Sequence, residues 1–288
     1  MPLQVDSRVR DVHEAGAYTL LVVEAPGMAA LTRPGHFVAA QVGGPDSNLL
    51  LRRAFALYDV DPAADTVSFV LSAAGPGSRW LAARRVGDVL DLVGPLGTPF
   101  VLPDTPGRAV LVGGGYGSAP LLPLASALTS RGSRVDVVLG ASGAERLFGV
   151  AEAEARAATV AVTTDDGSAG RRGRVTGVLP PLLDGSTAPS QEGAPTVYAC
   201  GPMAMLRAVA RVCVAHGAPC QVAVEEAMAC GIGVCMTCVL PAVGDDGRTR
   251  MVRSCVEGPV FPANRVRWDA LGTVPADAVG APRRGPST

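Results

Sequence analysis

The chain has 288 residues, 48% of them hydrophobic, enough to bury the core of one large domain or two ordinary ones. Its formal net charge of −1 gives no general attraction for nucleic acid or an anionic membrane. All 25 Lys/Arg positions are arginine, which removes lysine Schiff-base chemistry and the lysine of a Walker-type phosphate loop.

The three histidines (His13, His36, His216) lie far apart, which argues against a histidine-rich metal site or a histidine-centred nucleophile. The N-terminal stretch MPLQVDSRVRDVHEAG has no apolar core of the kind a signal peptide needs. No uninterrupted apolar run approaches the ~20 residues of a membrane span. The expectation is a soluble cytoplasmic protein with neither nucleic acid nor membrane as partner. Seven cysteines in a reducing compartment point to metal or redox duty rather than disulfides.

In chain order, residues 17–24 (AYTLLVVE), 36–42 (HFVAAQV), 53–60, 66–72 (TVSFVLS) and 88–93 (DVLDLV) are short β-rich runs between Gly, Pro and Asp turns. Their spacing predicts a small antiparallel barrel, with one short helix over 76–85. Near residue 107 the pattern changes. RAVLVGGGYGSAPLLPLASALTSRG reads as a buried strand, a glycine turn and a helix. VDVVLGAS and ATVAVTTDDGS add strands, and TVYACGPMAMLRAVARVCVAHG is a strand followed by a helix. Strands alternating with helices predict a doubly wound parallel sheet. From about residue 225 a cysteine- and glycine-rich loop with short flanking strands takes over, and the last stretch, VPADAVGAPRRGPST, reads as a loose tail. The expected limits are 1–103 for the barrel, 104–224 for the α/β domain, 225–270 for the cysteine-rich subdomain and 271–288 for the tail.

Cys230, Cys235, Cys238 and Cys255 follow the spacing C-x4-C-x2-C-x16-C, the plant-type [2Fe–2S] pattern. Three thiolates from one tight loop clasp a cluster and a distant fourth closes it. Gly231 and Gly233 free the backbone to turn N–H groups toward the sulfides. The rival metal is structural zinc, which usually shows two C-x2-C knuckles, whereas only Cys235 and Cys238 have that spacing here. Cys213, on an amphipathic helix, and Cys220, at the start of a strand, read as core residues.

Gly113-Gly114-Gly115-Tyr116-Gly117 joins a strand to a helix, where backbone N–H groups face a diphosphate or dihydronicotinamide in some proteins and serve packing alone in others. Cys200-Gly201-Pro202 ends a later strand, and the carboxyl ends of strands are where ligands bind in such sheets. In the first half, Arg53-Ala54-Phe55-Ala56 lies on a strand, and Gly77 and Ser78 begin the short helix. Taken alone, the arginine and the helix start read as a surface residue and a simple cap, or as a clamp for a flavin diphosphate.

The motifs PGHFV (34–38), LLRR (50–53), GPLGTPF (94–100), GGGYGSAPL (113–121), TTDDGSAGRRGRVT (163–176), YACGPMAML (198–206), EEAMACGIGVCMTC (225–238) and CVEGPVF (255–261) carry a resemblance over residues 5–265. The chain resembles the ferredoxin–NADP reductase superfamily and, within it, the electron-transfer subunits of class 1B dihydroorotate dehydrogenases. That resemblance implies an FAD-binding barrel, an NAD(P)-binding α/β domain and a C-terminal [2Fe–2S] subdomain. It also implies an FMN-containing catalytic partner, a dihydroorotate dehydrogenase of pyrimidine biosynthesis, joined in a heterotetramer.

By the same resemblance, Arg53 holds the FAD diphosphate with Gly77 and Ser78 at its phosphates, while Gly114, Gly115, Cys200 and Gly201 border NAD(H). Two positions depart from the pattern. Ala56 replaces a serine whose hydroxyl is expected near the flavin, and Phe55 stands where the superfamily often has a flavin-stacking tyrosine.

Such a chain needs no general acid or base of its own, because nicotinamide, flavin and cluster carry the electrons. A rival within the class is a reductase subunit for another dehydrogenase or a biosynthetic oxygenase. A sulfide dehydrogenase or transhydrogenase small subunit is related, but those commonly place aspartate where this chain has Cys230. A self-contained dioxygenase reductase carries a whole ferredoxin domain, for which the roughly 60 residues after Glu225 are too few. From another class comes a non-catalytic redox-sensing or zinc-stabilised binding module, which the absence of a visible spectrum would reveal.

Overall fold

The computed structural model describes residues 1–44, 47–184 and 194–282. Strands β1 (Leu3–Ala15), β2 (Tyr18–Glu24), β3 (Phe37–Ala40), β4 (Arg53–Asp61), β5 (Thr66–Leu71) and β6 (Val89–Leu96) close an antiparallel barrel in the order β1-β2-β5-β4-β3-β6. Leu21, Phe69, Leu81, Leu90 and Leu92 fill it. The long first strand is absent from the sequence reading, and its bulge explains why. Ser7 and Val9 point inward between exposed Asp6, Arg8 and Arg10, then the register shifts between Val9 and Asp11 and the inward role passes to Val12. The shift breaks the two-residue period by which strands are recognised. Helix α1 (Pro76–Ala82) crosses between β5 and β6 and stops short of residue 85, where the Arg84 guanidinium folds back over the Trp80 ring at 4.0 Å.

The second unit runs β7 (Arg108–Gly114), α2 (Leu121–Ser130), β8 (Arg134–Ala141), α3 (Val150–Glu154), β9 (Thr159–Thr164), β10 (Arg171–Arg172), α4 (Pro180–Leu183), β11 (Thr196–Cys200), α5 (Met203–Ala215) and β12 (Cys220–Ala223). β7 is buried along almost its whole length, as expected of a parallel strand covered on both faces. Cys213 is buried on α5 and Cys220 opens β12, both within the core beneath the sheet.

The C-terminal arm adds a hairpin of β13 (Val239–Val243) and β14 (Thr249–Arg253), then β15 (Val260–Pro262). β15 pairs antiparallel with β12, so the seven-stranded sheet reads β10-β9-β8-β7-β11-β12-β15 and is parallel except at that last pair. The cysteine-rich segment therefore shares a sheet with the α/β unit. Strand order reverses between β7 and β11, the kind of switch point at which such sheets bind ligands.

The end of the chain is held down as far as Ala281. Val279 N–H donates to Thr249 O (2.9 Å), and the Asp277 carboxylate accepts from Arg267 Nη1 (2.9 Å) and Thr249 Oγ1 (3.1 Å). The remainder of the expected tail, 283–288, lies outside the described residues. Among the described residues no helix is long and apolar enough to cross a membrane.

Candidate functional site

A cleft of about 1060 Å³ opens between the barrel and the carboxyl ends of β7, β8, β9 and β11. Arg53, Ala54, Phe55, Ala56, Gly77, Ser78, Gly114, Gly115, Cys200 and Gly201 all line it. Its volume is just above the ~300–1,000 Å³ usual for small-molecule sites, so one extended ligand or two adjoining ones fit.

On the barrel side, the Arg53 guanidinium folds over the start of α1. Its Nη1 donates to Leu51 O (2.7 Å) and Arg52 O (3.2 Å), and a Cβ on Gly77 would stand 2.8 Å from its Nε. Glycine at position 77 leaves room for the guanidinium to lie where it does. Ser78 Oγ accepts from Gly75 N–H (3.0 Å) and donates to Gly75 O (3.2 Å), so its hydroxyl is spent on capping the helix. The first-turn N–H groups of α1 are then the donors left for a ligand.

Alternation along β4 sends neighbouring side chains opposite ways. Phe55 stacks on Phe69 (5.1 Å between centroids, 18°) at the barrel core, whereas Ala54 packs beside buried Cys238 and Cys255. Ala56 lines the cleft without a hydroxyl.

On the sheet side, the two glycine turns touch backbone to backbone. A Cβ on Gly117 would lie 2.6 Å from Gly201 Cα and 2.9 Å from Cys200 O, and Gly201 itself holds φ +152°. At Gly114 a Cβ would meet the Met205 side chain at 2.6 Å and the Pro202 ring at 2.9 Å.

Two residues lining the cleft escaped the sequence reading. Tyr116 Oη donates to Glu225 Oε1 (2.9 Å), and its ring meets Tyr18 edge-on at 5.4 Å. Burial, reinforced by the Glu225 carboxylate, raises the Tyr116 hydroxyl well above the usual tyrosine range. The same two causes, in the same order, push the Cys200 thiol up to about 12. Cys200 is therefore a neutral thiol at neutral pH rather than an activated nucleophile. Tyr116 stands in plain view in the GGGYG turn, but nothing local announces a partner at position 225.

Beyond Glu225 the chain enters the cysteine loop. Gly231 (φ +73°) lies over Ala39 and Leu96 of the barrel, and at Gly233 (φ +84°) a Cβ would collide with Val256. Met236 adopts φ +59°, unusual for a side chain of its size, in the turn between Cys235 and Cys238. Cys238 and Cys255 are buried with Phe37, Ala39 and Leu96, while Cys235 is exposed.

Polar contacts reach the sulfurs and frame the loop. Val234 N–H points at Cys230 Sγ (3.4 Å), Thr237 Oγ1 donates to Cys235 Sγ (3.2 Å) and Arg253 Nη1 donates to Gly233 O (2.9 Å). Hydrogen bonds from Thr237, then from Cys230, bring the Cys235 thiol down to about 6. Cys230 neighbours Cys235 and Cys238 neighbours Cys255, and Cys255 also feels Cys230. Among the described residues no three His, Cys, Asp or Glu side chains are arranged around a single ion.

The family model for the iron–sulfur cluster binding domain of dihydroorotate dehydrogenase B matches residues 225–267. The electron transfer subunit of dihydroorotate dehydrogenase B (NAD(+)) from Desulforamulus reducens is 31% identical over 265 residues, covering 92% of this chain and 98% of that one. The chain belongs to this family of electron-transfer subunits. The subunit of the same description from Bacillus caldolyticus is 39% identical over 238 residues, 82% of this chain and 87% of its own.

Family membership makes the arm beyond Glu225 an iron–sulfur cluster-binding domain and the rest a flavin- and nicotinamide-binding fold of the ferredoxin–NADP reductase type. Among solved structures, that of an NADH-dependent reduced ferredoxin–NADP oxidoreductase, described for flavin-based electron bifurcation, superposes with a TM-score of 0.80. It is 27% identical and covers 93% of this chain and 91% of its own.

Proposed function

We propose that this electron-transfer subunit carries FAD in the barrel half of the cleft, NAD(H) in the sheet half and a [2Fe–2S] cluster on Cys230, Cys235, Cys238 and Cys255. The carrying observation is a shared wall. Phe37, Ala54 and Met228 line the cleft and also pack in the group that buries Cys238 and Cys255. Cleft and cluster are thus separated by the thickness of single small or apolar side chains.

The residues fit the groups. Four cysteines on one arm, Cys230, Cys235, Cys238 and Cys255, suit a binuclear cluster, which takes four. The Arg53 guanidinium beside the first turn of α1 suits a diphosphate, and the glycine turns at Gly114–Gly117 and Gly201 admit a flat ring close to backbone. When bound, FAD supplies the exchange between hydride and single-electron chemistry and the cluster supplies the one-electron carrier.

The chain's own part is to bind and orient. Arg53 with Gly77 and Ser78 N–H groups fixes one end of the flavin, and Gly114, Gly115, Cys200 and Gly201 present the nicotinamide. Tyr116 and Glu225 tie the glycine turn to the cluster arm. Phe55 braces the strand from inside the barrel instead of presenting a hydroxyl, and at Ala56 only backbone remains to contact the ring.

The partner we infer is an FMN-containing catalytic subunit that oxidises dihydroorotate, in a cytoplasmic heterotetramer. The bifurcating oxidoreductase of similar fold keeps a second reading in view, a subunit serving another dehydrogenase. Cys230 supports the first, because the resemblance to transhydrogenase small subunits implies aspartate there.

Anaerobically prepared protein is expected to contain one FAD and two irons per chain. NADH should bleach the flavin, and dihydroorotate should be turned over only after the catalytic subunit is added. Stoichiometric zinc without iron defeats the cluster assignment, and dihydroorotate turnover by the isolated chain defeats the need for a partner.

A further inference from the structure

Away from the cluster arm, the fold brings a further pair of cysteines together. Cys213 lies near the end of α5, on the side that buries Val209 and Ala210 against the sheet. Cys220 opens β12, whose alternation sends Cys220 and Val222 to the α5 side and Ala223 to the other. The two thiols are neighbours across that seam, Cys213 buried and Cys220 partly open to solvent.

Backbone hydrogen bonds hold both positions. The chain reverses between them at Gly217 (φ +63°), and Ala218 N–H donates to Cys213 O (2.9 Å). Pro219 O accepts from Val197 N–H of β11 (2.8 Å), and Cys220 O accepts from Ala263 N–H just after β15 (2.8 Å). Helix and sheet therefore fix the approach of the two sulfurs. His216 stands in the same turn and gives the spacing C-x2-H-x3-C, but its Nδ1 is turned to Asp184 Oδ1 (2.6 Å). Among the described residues no three ligating side chains gather around one point. What the turn offers is two thiols.

A lone buried thiol packs as a small apolar residue and stays inert. Two neighbouring thiols differ, because the S–H that remains can donate to the sulfur that has ionised. Such a hydrogen bond from Cys220 holds Cys213 below the ordinary thiol value, outweighing the opposing effect of burial.

We propose that Cys213 and Cys220 are a reversible disulfide site, oxidised by exchange with a low-molecular-weight disulfide and separate from the cluster cysteines. The thiolate of the pair attacks one sulfur of the small disulfide, whose S–S bond breaks and releases one small thiol. The partner sulfur attacks the mixed disulfide, forms the Cys213–Cys220 bond and releases the second small thiol. Two electrons and two protons leave the cysteines and reduce the small disulfide to its two thiols, so no other oxidant is needed. The new bond closes residues 213–220 into a loop. It staples α5 to β12, the strand that leads to Glu225 and the cluster arm.

The test equilibrates the full chain, with FAD and cluster in place and dioxygen excluded, in mixtures of reduced and oxidised glutathione. Free thiols are then alkylated in denaturant and the chain is cut after Arg and Glu, which leaves Cys213 and Cys220 as the cysteines of residues 212–225. As the mixture becomes more oxidising, that peptide should pass from two alkyl groups to none, at a mass two hydrogens below the free dithiol. It should return on reduction, and the visible absorption of the cluster should not change. In Cys213→Ala, Cys220 should stop at the mixed disulfide with glutathione. The oxidised wild type should melt roughly 5 °C above the reduced protein, as expected for a short closed loop in a chain of this size. A wild-type peptide that keeps both thiols in oxidised glutathione, or that stops at the mixed disulfide, overturns the proposal. A disulfide that forms with no rise in melting temperature overturns the stapling of α5 to β12.

Discussion

Gly77→Ala offers a test in which fold stability and flavin affinity should move in opposite directions. The added methyl would stand 2.8 Å from Arg53 Nε and 3.2 Å from both Cζ and Nη2, so the guanidinium must swing away. Nothing rigid opposes that movement, because the displaced group is the end of a flexible side chain. Gly77 lies inside the first turn of α1, where alanine is the better helix former by roughly 0.5–1 kcal/mol. The apoprotein should therefore melt no lower than the wild type.

Losing the aimed guanidinium removes a charge-assisted contact worth about 1.5–3 kcal/mol, which corresponds to a rise in the FAD dissociation constant of roughly 10- to 150-fold. Titration of deflavinated protein with FAD, followed by quenching of flavin fluorescence, reads the affinity. Thermal unfolding of the same preparation reads the stability, and Arg53→Gln should reproduce the affinity loss without any helix gain. Wild-type FAD affinity in Gly77→Ala would refute the clamp.

Cys235→Ser should lose the cluster, seen as loss of iron and of its visible absorption, while NADH still bleaches the flavin, because the two sites draw on different segments. Gly117→Ala drives a methyl into the Gly201 backbone and should destabilise by about 1–3 kcal/mol in denaturant titrations. Gly107→Ala, with open space around it, should be neutral. His36 is held neutral, pushed down to about 4 by burial and then by Arg33, with Nδ1 accepting from Arg33 N–H. Its folded value lies below the ordinary 6.5, so the stability linked to it is complete above about 6.5 and drains away as the pH falls toward 4. Denaturant midpoints at pH 7.5 and pH 5 should fall further for the wild type than for His36→Gln, and an equal drop in both would exclude His36 as the cause.

Much of this was readable from residue order alone because the informative signals are local. The strand–glycine–helix alternation after residue 107 and the spacing of four cysteines each sit within a short window, and the sheet and the cysteine loop appear where they were expected. The first strand was hidden because its bulge shifts the alternation midway. The joining of β15 to β12 was hidden because a strand of three residues carries no period. Pairings such as Tyr116 with Glu225, or Gly77 with Arg53, depend on chain segments meeting in space, and no spacing rule encodes them. Ser78 shows a subtler limit, since its position was readable but the spending of its hydroxyl on Gly75 was not.

The cysteine arm is fastened to the barrel and sheet on one side and presents apolar side chains to solvent on the other. Inward, Cys238 and Cys255 are buried against the barrel, Thr98 N–H donates to Gly258 O (2.6 Å), and β15 locks the arm to the sheet. Outward, Cys235 is exposed within a ring of apolar side chains, Ile232, Val234, Met236 and Val256, of which Val234 is 75% exposed. Shielding a cluster from water would favour burying these residues, whereas a surface meant for a partner leaves them out.

Val234→Glu separates the two roles. Its side chain stands in solvent, so iron content, melting temperature and NADH reduction of the flavin should match the wild type. Burying that charge against a partner's apolar surface should weaken association by about tenfold or more. Sedimentation of the mixed subunits measures the association, and transfer from NADH to the catalytic subunit should fall in step at limiting concentration. Unchanged association in Val234→Glu would place the partner elsewhere on the molecule.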